Sequence, residues 1–243
     1  RASIPPPWRP TSDYEVVFPK RPDLDAFIDR MIRTAPNNWG GEIAGLIKGF
    51  ESVQVGGRRL RAQLGLSSTA AEFAAEKWCE EQVTGTNGKS GLSFTVINRI
   101  AEFMLRTCPA VLRALRESYP FIFIDEFQDT TYAQYDLIGS MFKGAGAVLT
   151  VVGDDKQRIM TWAGARPDAF AKFESEFNAN RIQLTYNYRS SAELVRIQHV
   201  VAKAIDAGTM EVSSKNDRSV DGDAAQIWTF PGPETEAEYV AKW

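Results

Sequence analysis

Residues 121–130 read FIFIDEFQDT. Phe121, Ile122, Phe123 and Ile124 form an uninterrupted apolar run, bounded by Pro120 on one side and two acids on the other. So short a run predicts a strand buried on both faces. It stops at Asp125 and Glu126. In open parallel α/β sheets, ligands bind beyond the carboxyl ends of the strands. Successive strand residues point to opposite sides, which would let the two acids take different tasks. One suits a hard cation, held directly or through water. The other suits proton abstraction from an attacking water. The plain alternative is a pair of solvated charges after a strand.

Two later stretches bear on that choice. Residues 147–152 (AVLTVV) form a second apolar run, opening into Gly153, Asp154, Asp155, Lys156 and Gln157. Residues 181–185 (RIQLT) form a shorter third run, opening into Tyr186, Asn187, Tyr188, Arg189, Ser190 and Ser191. In order and spacing, DEFQDT, VGDDKQRIMTWAGA and LTYNYRSS resemble motifs II, III and IV of the UvrD/Rep-type superfamily 1 helicases. DEFQDT is specific by itself, and the motif-bearing part is roughly the second half of the chain.

The resemblance implies an α/β fold. It would be a partial RecA-like P-loop NTPase core, a parallel sheet with flanking helices, plus a mainly helical subdomain at the N-terminal side. By order, residues 1–91 would be the inserted helical subdomain. Residues 92–178 would complete the first RecA-like domain, and residues 179–243 would begin the second. The implied cofactors are ATP and Mg²⁺. Asp125 would hold Mg²⁺ through water, and Glu126 would position and deprotonate the water that attacks the γ-phosphate. Gln157 would contact that phosphate; an amide can both donate and accept. Tyr188 would stack on adenine, with a core aromatic as the plain alternative. Arg189 would grip phosphate oxygens with its planar fork, with a salt bridge as the plain alternative. Trp162 would stack on a base of single-stranded DNA, assisted by Met160. A lone Trp outside such a motif reads as core.

The usual family string is GDDDQSIYRWRGA. Here Lys156 replaces an acid, Arg158 a Ser, Met160 a Tyr, Thr161 an Arg and Ala163 an Arg. Met160 removes one stacking aromatic, although a thioether still packs on a ring. These departures touch the DNA contacts more than the nucleotide site.

The remaining sequence sets bounds. A 243-residue chain with 44% hydrophobic residues supports a packed core. Net charge is −3, so no global basic field announces nucleic acid. Cys79 and Cys108 are too few for a disulfide framework. No apolar run approaches ~18 residues, so no membrane span is expected. With no signal peptide visible, a cytoplasmic location is expected. The chain begins at Arg1 rather than Met and ends in a helical pattern, and we expect it to be a fragment of a longer protein.

Residues 1–22, with Pro5, Pro6, Pro7, Pro10, Pro19 and Pro22, read as an extended segment. Leu24, Phe27, Ile28, Met31 and Ile32 share a helical face, with Asp23 as candidate N-cap. Ile43, Leu46, Ile47 and Phe50 repeat that spacing. Thr69 and Glu72 form a capping box for a helix through Trp78, so the first ninety residues read as mostly helical. Arg58, Arg59 and Arg61 are either a solvated basic loop or a DNA-phosphate contact.

Residues 84–90 (TGTNGKS) resemble a phosphate-binding loop, and also the GTNGK[ST] loop of Mur-type ligases. The first glycine of G-x-x-x-x-G-K-[ST] should stand at position 83, which is Val. What precedes is helical in pattern, so the stretch reads as a solvated turn between helices. Helices are predicted over 92–107, 109–118, 131–142, 167–177, from Ser190 or Ser191 through Ile205, and over 234–243. A strand is predicted over 225–230. His199 falls within a helix, where packing or surface exposure is the expected role.

Together these readings predict a piece of an ATP-dependent DNA helicase or translocase, and the family resemblance implies movement 3′ to 5′. Its partner would be single-stranded DNA or a duplex–single-strand junction, and no membrane. The rivals are the helicase component of a helicase–nuclease, a catalytically inactive helicase-like DNA-binding module, and a Mur-type ligase.

Overall fold

The computed structural model describes residue 4 and residues 7–36, 38–85, 87–219 and 222–243. Pro5, Pro6 and Thr86, which enter the readings above, lie outside the described residues. The chain divides into two compact units, Arg1–Asn180 and Arg181–Trp243.

The first unit opens with β1 (Asp13–Val16), α1 (Arg21–Thr34) and α2 (Gly40–Ala44). A π-helical turn, Phe50–Val55, precedes α3 (Ala70–Thr84), and β2 (Lys89–Leu92) follows it. β1 and β2 pair in parallel, Asp13 opposite Lys89 through Val16 opposite Leu92. The helical reading of this region omitted both strands.

Helix starts are set by local chemistry. α1 begins before Asp23, with Pro22 in its first turn, where a missing N–H costs nothing. Asp23 is therefore not the N-cap; its carboxylate accepts the Lys20 N–H at 2.8 Å. Thr69 does cap α3, accepting the Glu72 N–H at 3.2 Å. The return arm of the expected box is shifted, because Glu72 accepts from the Ser68 N–H at 2.8 Å.

α4 (Phe94–Thr107) and α5 (Pro109–Ser118) lead into β3 (Phe121–Ile124). α6 (Tyr132–Phe142), β4 (Val148–Val151) and α7 (Ala169–Phe177) complete the unit. One core gathers Trp8, Phe27, Ile28, Ile43, Phe50 and Trp78, and α4 adds Val96, Ile100 and Phe103. Phe27 lies edge-on to Trp78, their centroids 4.9 Å apart, an arrangement aromatic quadrupoles favour. A second core gathers Phe127, Tyr135, Ile138, Phe142, Ala169 and Phe173.

β3 and β4 are parallel and in register, Phe121 opposite Val148 through Ile124 opposite Val151. The sheet is covered on one face. Ile122, Ile124, Leu149 and Val151 pack on the second core, to which α5 adds Leu115. Phe121 and Phe123 on the other face are 67% and 77% exposed. The expectation of a strand buried on both faces is thus corrected: α5, α6 and α7 supply packing from one side alone.

The second unit contains β5 (Tyr186–Asn187), α8 (Ala192–Ile205), β6 (Ser213–Ser214) and α9 (Pro233–Lys242). β5 and β6 pair in parallel. Residues 181–185 lie outside the ladder, although Thr185 O accepts the Ser213 N–H at 2.9 Å. The strand expected over 225–230 does not form. Its aromatics pack locally instead: Trp228 lies edge-on to Tyr239 at 5.2 Å and to Trp243 at 5.4 Å. Among the described residues no helix is long and apolar enough to cross a membrane.

Candidate functional site

The in-register pair puts the carboxyl ends of β3 and β4 side by side. Val152 N–H donates to Ile124 O at 2.8 Å, and Phe127 N–H donates to Val152 O at 2.9 Å. Between those two bonds lie Asp125 and Glu126, both exposed. They are not alternating strand residues, since the strand ends at Ile124 and Glu126 turns into the left-handed region at φ 51°. Phe127 then enters the core, edge-on to Phe170 and Phe173 at 5.2 and 5.4 Å. Burying a Phe is worth about 1.5–3 kcal/mol. That anchor holds the preceding turn, with both carboxylates, at the surface.

Gln128, which the sequence reading passed over, joins the two turns. It is only 2% exposed. Its Nε2 donates to Glu126 Oε2 at 2.7 Å, and its Oε1 accepts the Asp154 N–H at 3.1 Å. Gly153 leaves room for this amide, because a Cβ there would stand 2.2 Å from Gln128 Oε1 and 2.9 Å from Phe127 N. The available signal was a neutral amide inside an otherwise acidic run.

From Gly153 the chain makes a tight turn organised by Asp154. Asp154 Oδ1 accepts from Lys156 N–H at 3.0 Å and from the Lys156 ammonium at 3.1 Å. Its Oδ2 accepts from Gln157 Nε2 at 3.2 Å. Burial pushes this carboxyl up, but the Lys156 and Gln157 donors outweigh it and hold it below the ordinary carboxylate value. Lys156 therefore serves the turn itself. Further along, Met160–Ala163 forms a short 3₁₀ turn with Met160 half-buried. Trp162 is 77% exposed, so the fold does not use it as a core residue. Gly164, at φ 86°, lets this loop approach Ser52, whose Cβ would lie 2.7 Å from an added Cβ. Arg166 N–H donates to Thr130 O at 2.8 Å, tying the loop back to the DEFQDT turn.

Asp125, Glu126 and Gln157 thus belong to two adjoining turns at one sheet end, with Trp162 and Met160 on the continuation of the second. Asp125 Oδ1 accepts the Glu126 N–H at 2.9 Å. Among the described residues no group of three or more His, Cys, Asp or Glu could hold a metal ion. A single exposed carboxylate fits Mg²⁺ that keeps most of its waters and arrives with phosphates.

The second unit, taken by itself, places Tyr188 and Arg189 in the turn between β5 and α8. Asn187 Oδ1 accepts the N–H groups of Arg189 and Ser190, both at 2.9 Å. Ser191 caps α8 by accepting the Leu194 N–H at 3.4 Å. Asn216 Nδ2 donates to Arg189 O at 2.7 Å. The side chains of Tyr188 and Arg189 are both exposed. Among the described residues Arg189 forms no ion pair, and Tyr188 lies outside the packed cores.

Two other candidate stretches have structural roles. Arg59 pairs with Glu102 and Asp136, both at 3.5 Å, and Arg61 with Glu72 and Glu76 at 3.8 and 3.6 Å. Arg58 donates to Gln54 Oε1 at 2.7 Å. Arg59 and Arg61 are thus paired with the protein's own acids, and Arg58 with a neutral amide.

Helix α3 is followed by strand β2, correcting the expected turn between helices. A phosphate loop has the opposite order, strand then helix. Ser90 is fully buried, donating from Oγ to Val83 O at 2.6 Å, and Lys89 pairs with Glu15 at 2.7 Å.

Comparison with known proteins supplies the context. Residues 46–178 match the UvrD/REP helicase N-terminal domain. The chain is 32% identical over 134 residues to "DNA helicase II" of Haemophilus influenzae, covering 55% of this chain and 18% of that protein. It is 32% identical over 111 residues to "ATP-dependent DNA helicase Rep" of Escherichia coli, covering 45% and 16%. To "ATP-dependent DNA helicase PcrA" of Leuconostoc citreum it is 28% identical over 137 residues, covering 56% and 16%. The chain spans less than a fifth of the length of each of these relatives.

Proposed function

The chain belongs to the UvrD/REP helicase N-terminal domain family, and on that premise we propose that it is the segment of an ATP-dependent DNA helicase in which hydrolysis and DNA contact meet. The observation that carries the reading is the shared sheet end, where the Asp125–Glu126 turn and the Gly153–Gln157 turn are hydrogen-bonded to each other. By order, residues 1–91 are an inserted helical part and residues 92–178 complete a first RecA-like domain, while residues 179–243 begin a second. The parallel β3–α6–β4 crossover is what such a core is built from.

In this reading Glu126 takes the proton of the attacking water, and Gln157 contacts the γ-phosphate and responds to its loss. Asp125 would hold Mg²⁺ through water, and the ion when bound would supply charge neutralisation for the phosphates. Tyr188 stacks on adenine and Arg189 engages phosphate oxygens. Trp162, with Met160 beside it, stacks on a base of single-stranded DNA, and movement runs 3′ to 5′.

The phosphate loop is not within these 243 residues, since position 83 is Val. The loop's backbone N–H groups are what cradle the phosphates. The chain by itself is therefore expected to show no appreciable DNA-stimulated ATP hydrolysis. Robust turnover by the purified 243-residue chain would bring residues 84–90 back as a nucleotide site.

The test of the DNA assignment is Trp162→Ala in the full-length gene product. Base stacking on an aromatic is worth ~1–3 kcal/mol, so single-stranded DNA affinity should fall roughly ten- to a hundredfold. The salt slope should hold, because stacking releases few counterions. Since the indole is exposed, the melting temperature should barely move. A folded variant with unchanged DNA affinity would remove Trp162 from the interface.

A further inference from the structure

We propose that Gln128 is a positioning residue for hydrolysis, holding the Glu126 carboxylate and linking it to the turn that carries Gln157. The inference rests on the proposed role of Glu126 as the base and adds to it a residue that touches neither substrate nor metal. Its support is geometric. A hydrogen-bonded path runs from Glu126 Oε2 to Gln128 Nε2 at 2.7 Å, and from Gln128 Oε1 to the Asp154 N–H at 3.1 Å. From Asp154 Oδ2 it reaches Gln157 Nε2 at 3.2 Å.

Both ends of the Gln128 amide are chemically determined. A carboxylate only accepts and a backbone N–H only donates, so the amide nitrogen must face Glu126 and the oxygen must face Asp154. A side chain of this length that carries no charge, donates at one end and accepts at the other is met by glutamine alone. Glutamate would place two carboxylates together, and methionine would leave both partners without their bond. The amide is buried, so water does not replace it readily. Gly153 matters for the same reason, because a methyl group there would strike Gln128 Oε1.

The consequence is reciprocal. Whatever moves Gln157 pulls on Asp154, and through Gln128 on the carboxylate of Glu126. Whatever orients Glu126 stabilises the placement of Gln157 to the same degree. Base and phosphate contact would then be set together, which hydrolysis requires before the reacting atoms can align. A misplacement near 1 Å typically costs on the order of 10²-fold in rate.

The experiment uses Gln128→Glu in the full-length gene product. This change keeps the acceptor for the Asp154 N–H and replaces only the donor facing Glu126. Single-turnover ATP hydrolysis should fall roughly 10- to 100-fold, while equilibrium binding of a fluorescent ATP analogue holds. Gln128→Met, which keeps length and volume, serves where the buried charge prevents folding, and Gly153→Ala should reproduce the defect from the opposite side. Each change is repeated in a Glu126→Gln background. With no carboxylate left to position, a further change at 128 should cost nothing more. Unchanged turnover in a folded Gln128 variant would overturn the inference. So would an equal loss in both backgrounds, or a loss that tracks melting temperature and ATP affinity, since each marks a role in folding alone. A Glu126→Gln protein that still turns over normally would instead sink the base assignment, which keeps the two failures apart.

Discussion

Arg189→Ala in the full-length protein should lower ATP turnover by roughly 10³–10⁵, the range typical of an arginine that stabilises charge on a transferring phosphoryl group. Electrostatic groups aimed at developing charge act without reorganisation at the moment of reaction. The guanidinium presents a rigid fork that matches phosphate oxygens, so Lys should not restore the rate. A salt-bridging arginine would be missed by the fold, but Arg189 is exposed and forms no ion pair among the described residues. Its backbone does the local structural work, through Asn187 Oδ1 and Asn216 Nδ2, and survives truncation to Ala. Single-turnover hydrolysis beside a thermal melt is the measurement. An unchanged melting temperature with turnover within tenfold of the parent would take Arg189 out of the reaction.

Glu126→Gln should lower hydrolysis by roughly 10²–10⁴, as loss of a general base typically does. ATP binding should persist, so that the variant accumulates bound nucleotide. The replacement is well controlled. The Gln side chain keeps an oxygen that accepts from Gln128 Nε2, so the turn retains its hydrogen bond and only proton abstraction is lost. Rapid-quench turnover read against equilibrium nucleotide binding separates the two steps. Near-normal turnover would refute the assignment.

The sheet end was legible in advance because its signals are local. FIFI and the run at 147–152 could be placed as strands from composition alone, and the cap of α8 narrowed to Ser190 or Ser191, of which Ser191 is the one used. What the sequence concealed depends on partners far along the chain. An apolar run reads the same whether one face or two will be covered, so Phe121 and Phe123 gave no hint of their exposure. The DYEV and KSGL strands carry almost no strand signature and exist through pairing across more than seventy intervening residues. Arg59 and Arg61 looked like a free basic patch because their acids sit on α3, α4 and α6. The role of Gln128 needs Asp154, contributed by the other strand's turn. Residues 225–230 carry strand-like alternation, yet their aromatics found partners in α9 first.

Glu126 occupies the left-handed region at φ 51°, ψ 40°. For a side chain with a Cβ that conformation costs ~1–2 kcal/mol, and glycine escapes the cost. At this position, heat resistance and chemistry therefore pull against each other. Glycine would relax the backbone and delete the carboxylate in the same stroke. Directed evolution for thermal tolerance alone would drift toward glycine or asparagine at 126 and hand back a hardier protein without the proposed base. Thermal hardening of this molecule has to be sought away from the turn that follows β3.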